Sequence, residues 1–369
     1  MSDRMKIAFF GSSLVSAYWN GAATYYRGII RALAARGHQV TFYEPDAYER
    51  QKHRDIDDPP WAKVVVYSGT DPSDAERMLE RAAKSSDVLV KASGVGVFDE
   101  LLEARILDVR KRGQRVLFWD VDAPATLERV RNNPADPFRR CIPKYDFVFT
   151  YGGGDPVVRE YEGFGARRCV PIYNALDPDT HHEVKRDSRF ECDLALLANR
   201  LPDREARVEE FFFRPARALP DARFLLGGNG WEPHAVPSNV RCLGHVYTAD
   251  HNALNCSAKA VLNVARDSMA KTGFSPATRV FEAAGAAACI VTDAWEGIEL
   301  FLEPGSEILV ADDGAAVAEH VARLTLERAR AIGQAAKRRV LAQHTYAHRA
   351  RHVEALLARD YPVVAASTP

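Results

Sequence analysis

Cysteine is scarce in this sequence and arranged for nothing in particular: Cys141, Cys169, Cys192, Cys242, Cys256 and Cys289 stand singly, with no C-x-x-C pair, and read as buried thiols. Net charge is nearly absent. Lys and Arg number 49 against 50 Asp and Glu, a formal charge of −1, so no overall field exists to collect nucleic acid or an anionic membrane. No segment approaches the roughly 18 consecutive apolar residues of a membrane span, and the apolar run in MSDRMKIAFFGSS is too short for a secretory signal. The cytoplasm is therefore the expected location. The loop after the first strand lacks both G-x-G-x-x-G and a P-loop lysine, which argues against a dinucleotide or ATP site.

What is present suits large buried cores. With 369 residues, 47% hydrophobic and 27% charged, the chain is too long for one ordinary core, and two domains are expected. Strand-like runs at 5–10, 39–43, 63–67, 87–91, 115–119, 145–150 and 167–171 alternate with helical stretches such as 22–36. That alternation specifies a mainly parallel, doubly wound α/β sheet. From 171 to 189 the pattern dissolves into polar, turn-rich YNALDPDTHHEVKRDSR, then restarts with strands at 192–197, 223–226, 240–243, 260–264 and 289–292 and helices at 204–218, 249–256 and 276–287. The expected partition is an N-terminal Rossmann-like acceptor-side domain over 1–172, a linker over 173–190, a C-terminal Rossmann-like domain over 191–343, and a helix and tail over 344–369 able to pack back on the first domain. Two such domains would define a cleft.

Candidate chemistry concentrates in TRVFEAAGAAACIVTDAWEGIELFLEPGSEILVADD, residues 278–313. An Ala-rich helix with Arg279, Glu282 and Gly285 precedes a buried strand, and open α/β sheets bind ligands at strand C-terminal ends. A helix start with small residues can approach a diphosphate closely. Glu282 can accept hydrogen bonds from both hydroxyls of a ribose; the competing reading is a surface pair with Arg279. Arg200 and Arg204, after the first strand of the second domain, suit phosphate oxygens or are solvated. Arg266, Lys271 and Gly273 occupy another strand-end loop. In the first domain, Gly11 and Gly21 flank a strand-to-helix loop that suits phosphate or acceptor, or is a plain turn. Asp122 in WDVDAP is either a general base for an acceptor hydroxyl or the N-cap of the next helix. The glycine-rich turn YGGGDP could shape an acceptor pocket. Trp231, after GGNG, packs the second-domain core or lines the base pocket, core being the commoner role for an aromatic at such a turn. The paired His181 and His182 read as a hinge or rim, and no metal is expected.

The 278–313 stretch resembles the donor-binding signature of GT-B glycosyltransferases. The whole chain looks like their CgeB-like (spore-maturation-protein-like) branch, through GSSLVSAYWNGAATYYRGIIRALAARGHQVTFYE, WDVDAPATL and YDFVFTYGGG. The resemblance implies a GT-B fold: two facing Rossmann-like domains with parallel sheets and a helical C-terminal tail. It implies metal-independent transfer of a sugar from a nucleoside-diphosphate sugar, first of all a UDP-sugar, otherwise a GDP- or dTDP-sugar, with no permanently bound cofactor. Glu282 then maps to the ribose contact, and Arg200, Arg204, Arg266, Arg279, Gly285, Gly11 and Gly21 to the nucleotide and its phosphates. Arg200, Asp122 and Glu296 map to catalysis. The spacing departs from two glutamates seven residues apart, so Asp293 and Glu296 share the second acidic role. No histidine follows the first strand, where many inverting relatives keep a base, which favours retention. The acceptor is a glycan, a small molecule or a protein, not a nucleic acid. A non-catalytic nucleotide-sugar or glycan-binding module, an epimerase and a phosphorylase are the alternatives. Oligomeric state is not legible.

Overall fold

In the computed structural model, residues 4–18, 20–231 and 236–358 are described. They form two units, one from the residues up to Tyr173 and from Tyr346 onward, the other from Asn174 to Thr345. Each holds one sheet in which every pairing is parallel.

The first unit runs β1 (Lys6–Phe10), α1 (Ala23–Ala35), β2 (Gln39–Asp46), β3 (Lys63–Ser68), α2 (Pro72–Ser85), β4 (Val88–Ala92), α3 (Asp99–Asp108), β5 (Arg115–Asp120), α4 (Ala123–Asn132), β6 (Phe147–Thr150), α5 (Gly154–Gly163) and β7 (Cys169–Pro171). The strand order is β3-β2-β1-β4-β5-β6-β7. Helices on both faces require strands without a wet side, and all five residues of β4 are buried. Lys91 is tolerated there because its ammonium meets Asp99 at 2.6 Å. Local signals agree with the sheet. Asp71 accepts from the Ser73 amide at 2.9 Å and Pro72 follows it, so α2 starts where a cap and a preset φ coincide.

The second unit runs β8 (Leu194–Leu197), α6 (Pro202–Val208), α7 (Arg214–Ala218), β9 (Phe224–Gly227), β10 (Val240–Gly244), α8 (Thr248–Ser257), β11 (Ala260–Asn263), α9 (Asp267–Thr272), α10 (Thr278–Gly285), β12 (Ile290–Asp293), β13 (Leu309–Ala311), α11 (Gly314–Arg323) and α12 (Leu326–Gln343), with strand order β10-β9-β8-β11-β12-β13. The helix expected over 204–218 is split. Phe211, Phe212 and Phe213 are all buried; three successive side chains cannot face one side of an α-helix at 100° per residue, and the backbone widens into a π-turn at Glu209–Phe213. β13 and α9 escaped sequence reading because one is three residues long and the other buries none of its six. The helical tail is α11, α12 and α13 (Tyr346–Leu357), and α13 lies in the first unit, where the ring of Tyr346 occupies the space left by the missing side chain of Gly28 on α1. Residues 359–369 of that tail lie outside the described residues. No helix among the described residues is long and apolar enough to cross a membrane.

The helix α12 packs along α10 and comes closest to the chain just past its end, at Gly333. A Cβ on Gly333 would stand 2.0 Å from the Ala287 carbonyl oxygen, a backbone atom that cannot swing aside. Gly333→Ala is therefore expected to destabilise the protein by about 1–3 kcal/mol despite the better helix propensity of alanine. Urea unfolding checks this, and an unchanged midpoint would show that the two helices separate at no cost.

Candidate functional site

In an open parallel sheet the crossovers on either side of a reversal in strand order leave in opposite directions and open a crevice at the strands' C-terminal ends. In the second unit the reversal is at β8, flanked by β9 and β11. A cavity of about 360 Å³ lies there, lined by the turns after β8, β9, β10 and β11, by Arg204 of α6, His251 of α8, and Thr278, Arg279 and Glu282 of α10. Its floor depends on Gly228. With φ at +129° and a hypothetical Cβ 2.1 Å from the Ala198 carbonyl oxygen, the position admits only glycine, and the β8 and β9 turns close on each other. Asn199 Oδ1 accepts from the Asn229 amide at 3.0 Å and the Arg200 amide donates to the Asn229 carbonyl at 2.9 Å. Trp231 is buried, and its indole N–H donates to the Ala198 carbonyl at 2.6 Å; it is core beneath the site, not wall.

Two guanidinia face this cavity without a partner. Among the described residues neither Arg204 nor Arg279 has a hydrogen-bond acceptor or an ion pair, and the Arg204 Nε is buried. Burial, and after it the neighbouring Arg279, depress the pKa of Arg204; burial depresses that of Arg279, against the pull of Glu282. An arginine in such a place stays cationic, so the cavity carries two positive charges, offset within its lining only by the carboxylate of Glu282, which makes no ion pair with either. The start of α10 adds to the positive charge, because Ala277 at the N-cap supplies no side-chain acceptor and, although the Val280 amide donates to the Ala277 carbonyl at 3.0 Å, the amides of the lining residues Thr278 and Arg279 stay open.

Glu282 does not pair with Arg279. Its nearest ionic neighbour is His181, with Nε2 3.9 Å from Oε1, and one potential ligand atom from each of His181, His251 and Glu282 lies within 4.8 Å of the others. His251 has its pKa lowered, first by burial and then by Arg279, with Glu282 opposing, which keeps the ring neutral at neutral pH.

The other expected site residues are placed differently. Arg200 pairs with Glu205 at 2.6 Å and Arg266 with Asp203 at 2.6 Å. Asp293 is fully buried, bound to Arg207, and accepts from the Ala265 amide at 3.1 Å through both oxygens; it ties α6 to the loop after β11. The Glu296 side chain is exposed, and its backbone carbonyl accepts from the Phe274 amide at 2.6 Å. Gly285 faces Leu176 and the His181 carbonyl oxygen, letting residues 174–181 lie on α10. Gly11, Gly21 and Asp122 belong to the first unit. Gly11 makes room for the Phe42 ring, and Gly21 faces open space. Asp122 is the N-cap residue of α4 but its carboxylate makes no capping bond. Sequence reading missed His245, Thr248 and His251; no spacing rule links residues on β10 and α8 to a glutamate on α10.

Residues 204–355 match a family model described as "Glycosyl transferase-like". No curated protein matches the sequence. The structure is similar to a sucrose-phosphate synthase (tll1590) from Thermosynechococcus elongatus, with TM-score 0.69 and 14% identity over 96% of this chain and 98% of that one. It is also similar to Anabaena Alr3699/HepE in complex with UDP and glucose, with TM-score 0.67 and 11% identity over 96% and 99%, and to an alpha-glucosyltransferase in complex with UDP-glucose and DNA containing an abasic site, with TM-score 0.67 and 12% identity over 93% and 96%. The chain has the GT-B fold, built from Rossmann-like parallel sheets with C-terminal helices.

An unpartnered buried cation costs stability, and an apolar side chain of similar volume removes that cost. Arg279→Met is accordingly expected to leave the ligand-free protein as stable as before or up to about 2 kcal/mol more stable in urea unfolding. A loss above about 1 kcal/mol would reveal a structural partner.

Proposed function

We propose that the protein is a glycosyltransferase whose donor, a nucleoside-diphosphate sugar and first of all a UDP-sugar, is held in the second unit by Arg204, Arg279 and Glu282. The observation that carries this reading is the guanidinium pair, without an ion-pair partner, in a cavity at the sheet's reversal point. A diphosphate converts that unfavourable arrangement into charge-assisted hydrogen bonds. The similar structures that contain UDP or UDP-glucose support the choice of donor.

Chemically, the step breaks the bond between the anomeric carbon and the diphosphate oxygen, which takes the bonding electron pair. Arg204, Arg279 and the open amides of α10 stabilise the negative charge that develops there. Because protein groups supply this positive charge, the transfer is proposed to need no metal, and EDTA should leave the rate undiminished. Glu282 accepts hydrogen bonds from the ribose hydroxyls. For the proton lost by the acceptor we assign Asp122, which stands after the C-terminal end of β5. With a net charge of −1, the acceptor is a glycan, a small molecule or a protein.

The test is a thermal-shift panel of UDP-, GDP-, dTDP- and CMP-sugars, followed by release of the nucleotide with candidate acceptors. One nucleotide class should stabilise the wild type, and Glu282→Ala should weaken that binding by about 1–3 kcal/mol, the cost of unpairing charged hydrogen bonds. Asp122→Asn should leave donor binding intact and slow acceptor-dependent release by about 100-fold or more. Binding without turnover on any acceptor would make the protein a donor-binding module, and no stabilisation by any nucleotide sugar would remove the assignment altogether.

A further inference from the structure

His181, His251 and Glu282 converge at the edge of the cavity. The Thr180 hydroxyl donates to the Asp177 carbonyl at 3.1 Å, so it can only accept from His181, whose Nδ1–H lies 2.9 Å away. That tautomer leaves a lone pair on His181 Nε2, aimed at the Glu282 carboxylate 3.9 Å off. On α8, Nε2 of His251 is 3.3 Å from the Val246 carbonyl. A carbonyl only accepts, so Nε2 carries the proton and Nδ1 the lone pair.

We infer that His181, His251 and Glu282 form a binding site for a late first-row divalent cation of the Zn²⁺ class, occupied only while the donor nucleotide is absent. One ligand atom from each lies within 4.8 Å of the other two. The 3.9 Å between His181 and Glu282 is too long for a shared proton, and donors on a tetrahedral zinc ion with bonds of about 2.1 Å stand roughly 3.4 Å apart. The His181–Glu282 separation must contract by about half an ångström, and a pair at the 4.8 Å limit by about 1.4 Å. His181 already has the support that a ligating imidazole needs, a partner on the ring nitrogen away from Glu282, and the Nε2 of His251 has a partner in the Val246 carbonyl. Arg279 and Arg204 line the same cavity and oppose any cation held by charge alone, which excludes Mg²⁺ and Ca²⁺ and leaves ions that prefer imidazole nitrogen. His181 lies outside the segment matched by the family model, 204–355. The exclusion of nucleotide rests on the donor reading above, since Glu282 cannot hold a metal and a ribose together.

The test is calorimetric titration of the full-length, metal-stripped protein with Zn²⁺. One equivalent should bind, at least about tenfold more weakly in His181→Ala and in His251→Gln, and equally well in His182→Ala, an exposed neighbour outside the cluster. Millimolar Mg²⁺ should give no heat. Co²⁺ should show no thiolate charge-transfer band, which separates this site from the cysteines, and UDP should displace the metal. Absence of Zn²⁺ binding, or undiminished binding in both variants when circular dichroism shows them folded, overturns the site. If UDP binds and Zn²⁺ stays, the exclusion is wrong. If UDP does not bind at all, the donor assignment fails and the Zn²⁺ titration alone decides the metal site.

Discussion

Two cations in one cavity whose single carboxylate, Glu282, makes an ion pair with neither are an expensive arrangement, and the second unit is organised around holding them there. Left alone, Arg204 and Arg279 would turn toward any carboxylate in reach. The other nearby carboxylates are occupied: Glu205 by Arg200, Asp203 by Arg266, and Asp293 by Arg207. The Asp293 pair also fixes the loop after β11 against α6. From the other side α10 is clamped by α12 at Gly333 and by residues 174–181 at Gly285. What keeps the pair without an ion-pair partner is therefore a set of competing ion pairs and two glycine contacts, none of which lines the cavity.

The first unit treats a buried charge in the opposite way. Asp120 is fully buried at the end of β5, with its pKa raised by burial, yet its oxygens accept from Tyr161, Ser93 and Thr126 hydroxyls and from the Asp122 amide. Lys91 and Asp99 satisfy each other in the same sheet. These buried charges that only support the fold are saturated, as is usual in proteins. Groups kept for a ligand are not, and the contrast between Asp120 and the arginine pair locates the site better than residue type does.

That contrast also explains what the sequence could and could not convey. Strand and helix periodicity carries the sheets, because an all-parallel sheet demands apolar runs such as those of β4 and β8, and these are local. Glu282 and Arg279 were legible because one helix preceding one buried strand holds both. Arg200, Arg204 and Arg266 look alike in sequence, and only their pairing in the structure, local for Arg200 with Glu205 and long-range for Arg266 with Asp203, divides them into two neutralised arginines and one open one. His251 comes from α8 and His181 from the turn-rich stretch read as a linker; their meeting with Glu282 depends on the close contact at Gly285, a tertiary fact with no periodic signature. The π-turn at Glu209–Phe213 is the exception in the fold, and its signal, three successive phenylalanines, was visible but conflicted with ordinary helix geometry.

The most direct measurement is a calorimetric affinity ladder of uridine, UMP and UDP, compared between the wild type and an Arg204→Met, Arg279→Met double variant. If the guanidinia grip the diphosphate, affinity should climb by at least about 100-fold from uridine to UDP in the wild type, the worth of two charged hydrogen bonds, and the climb should collapse to less than about tenfold in the variant while uridine binds as before. Equal ladders in the two proteins would contradict the assignment.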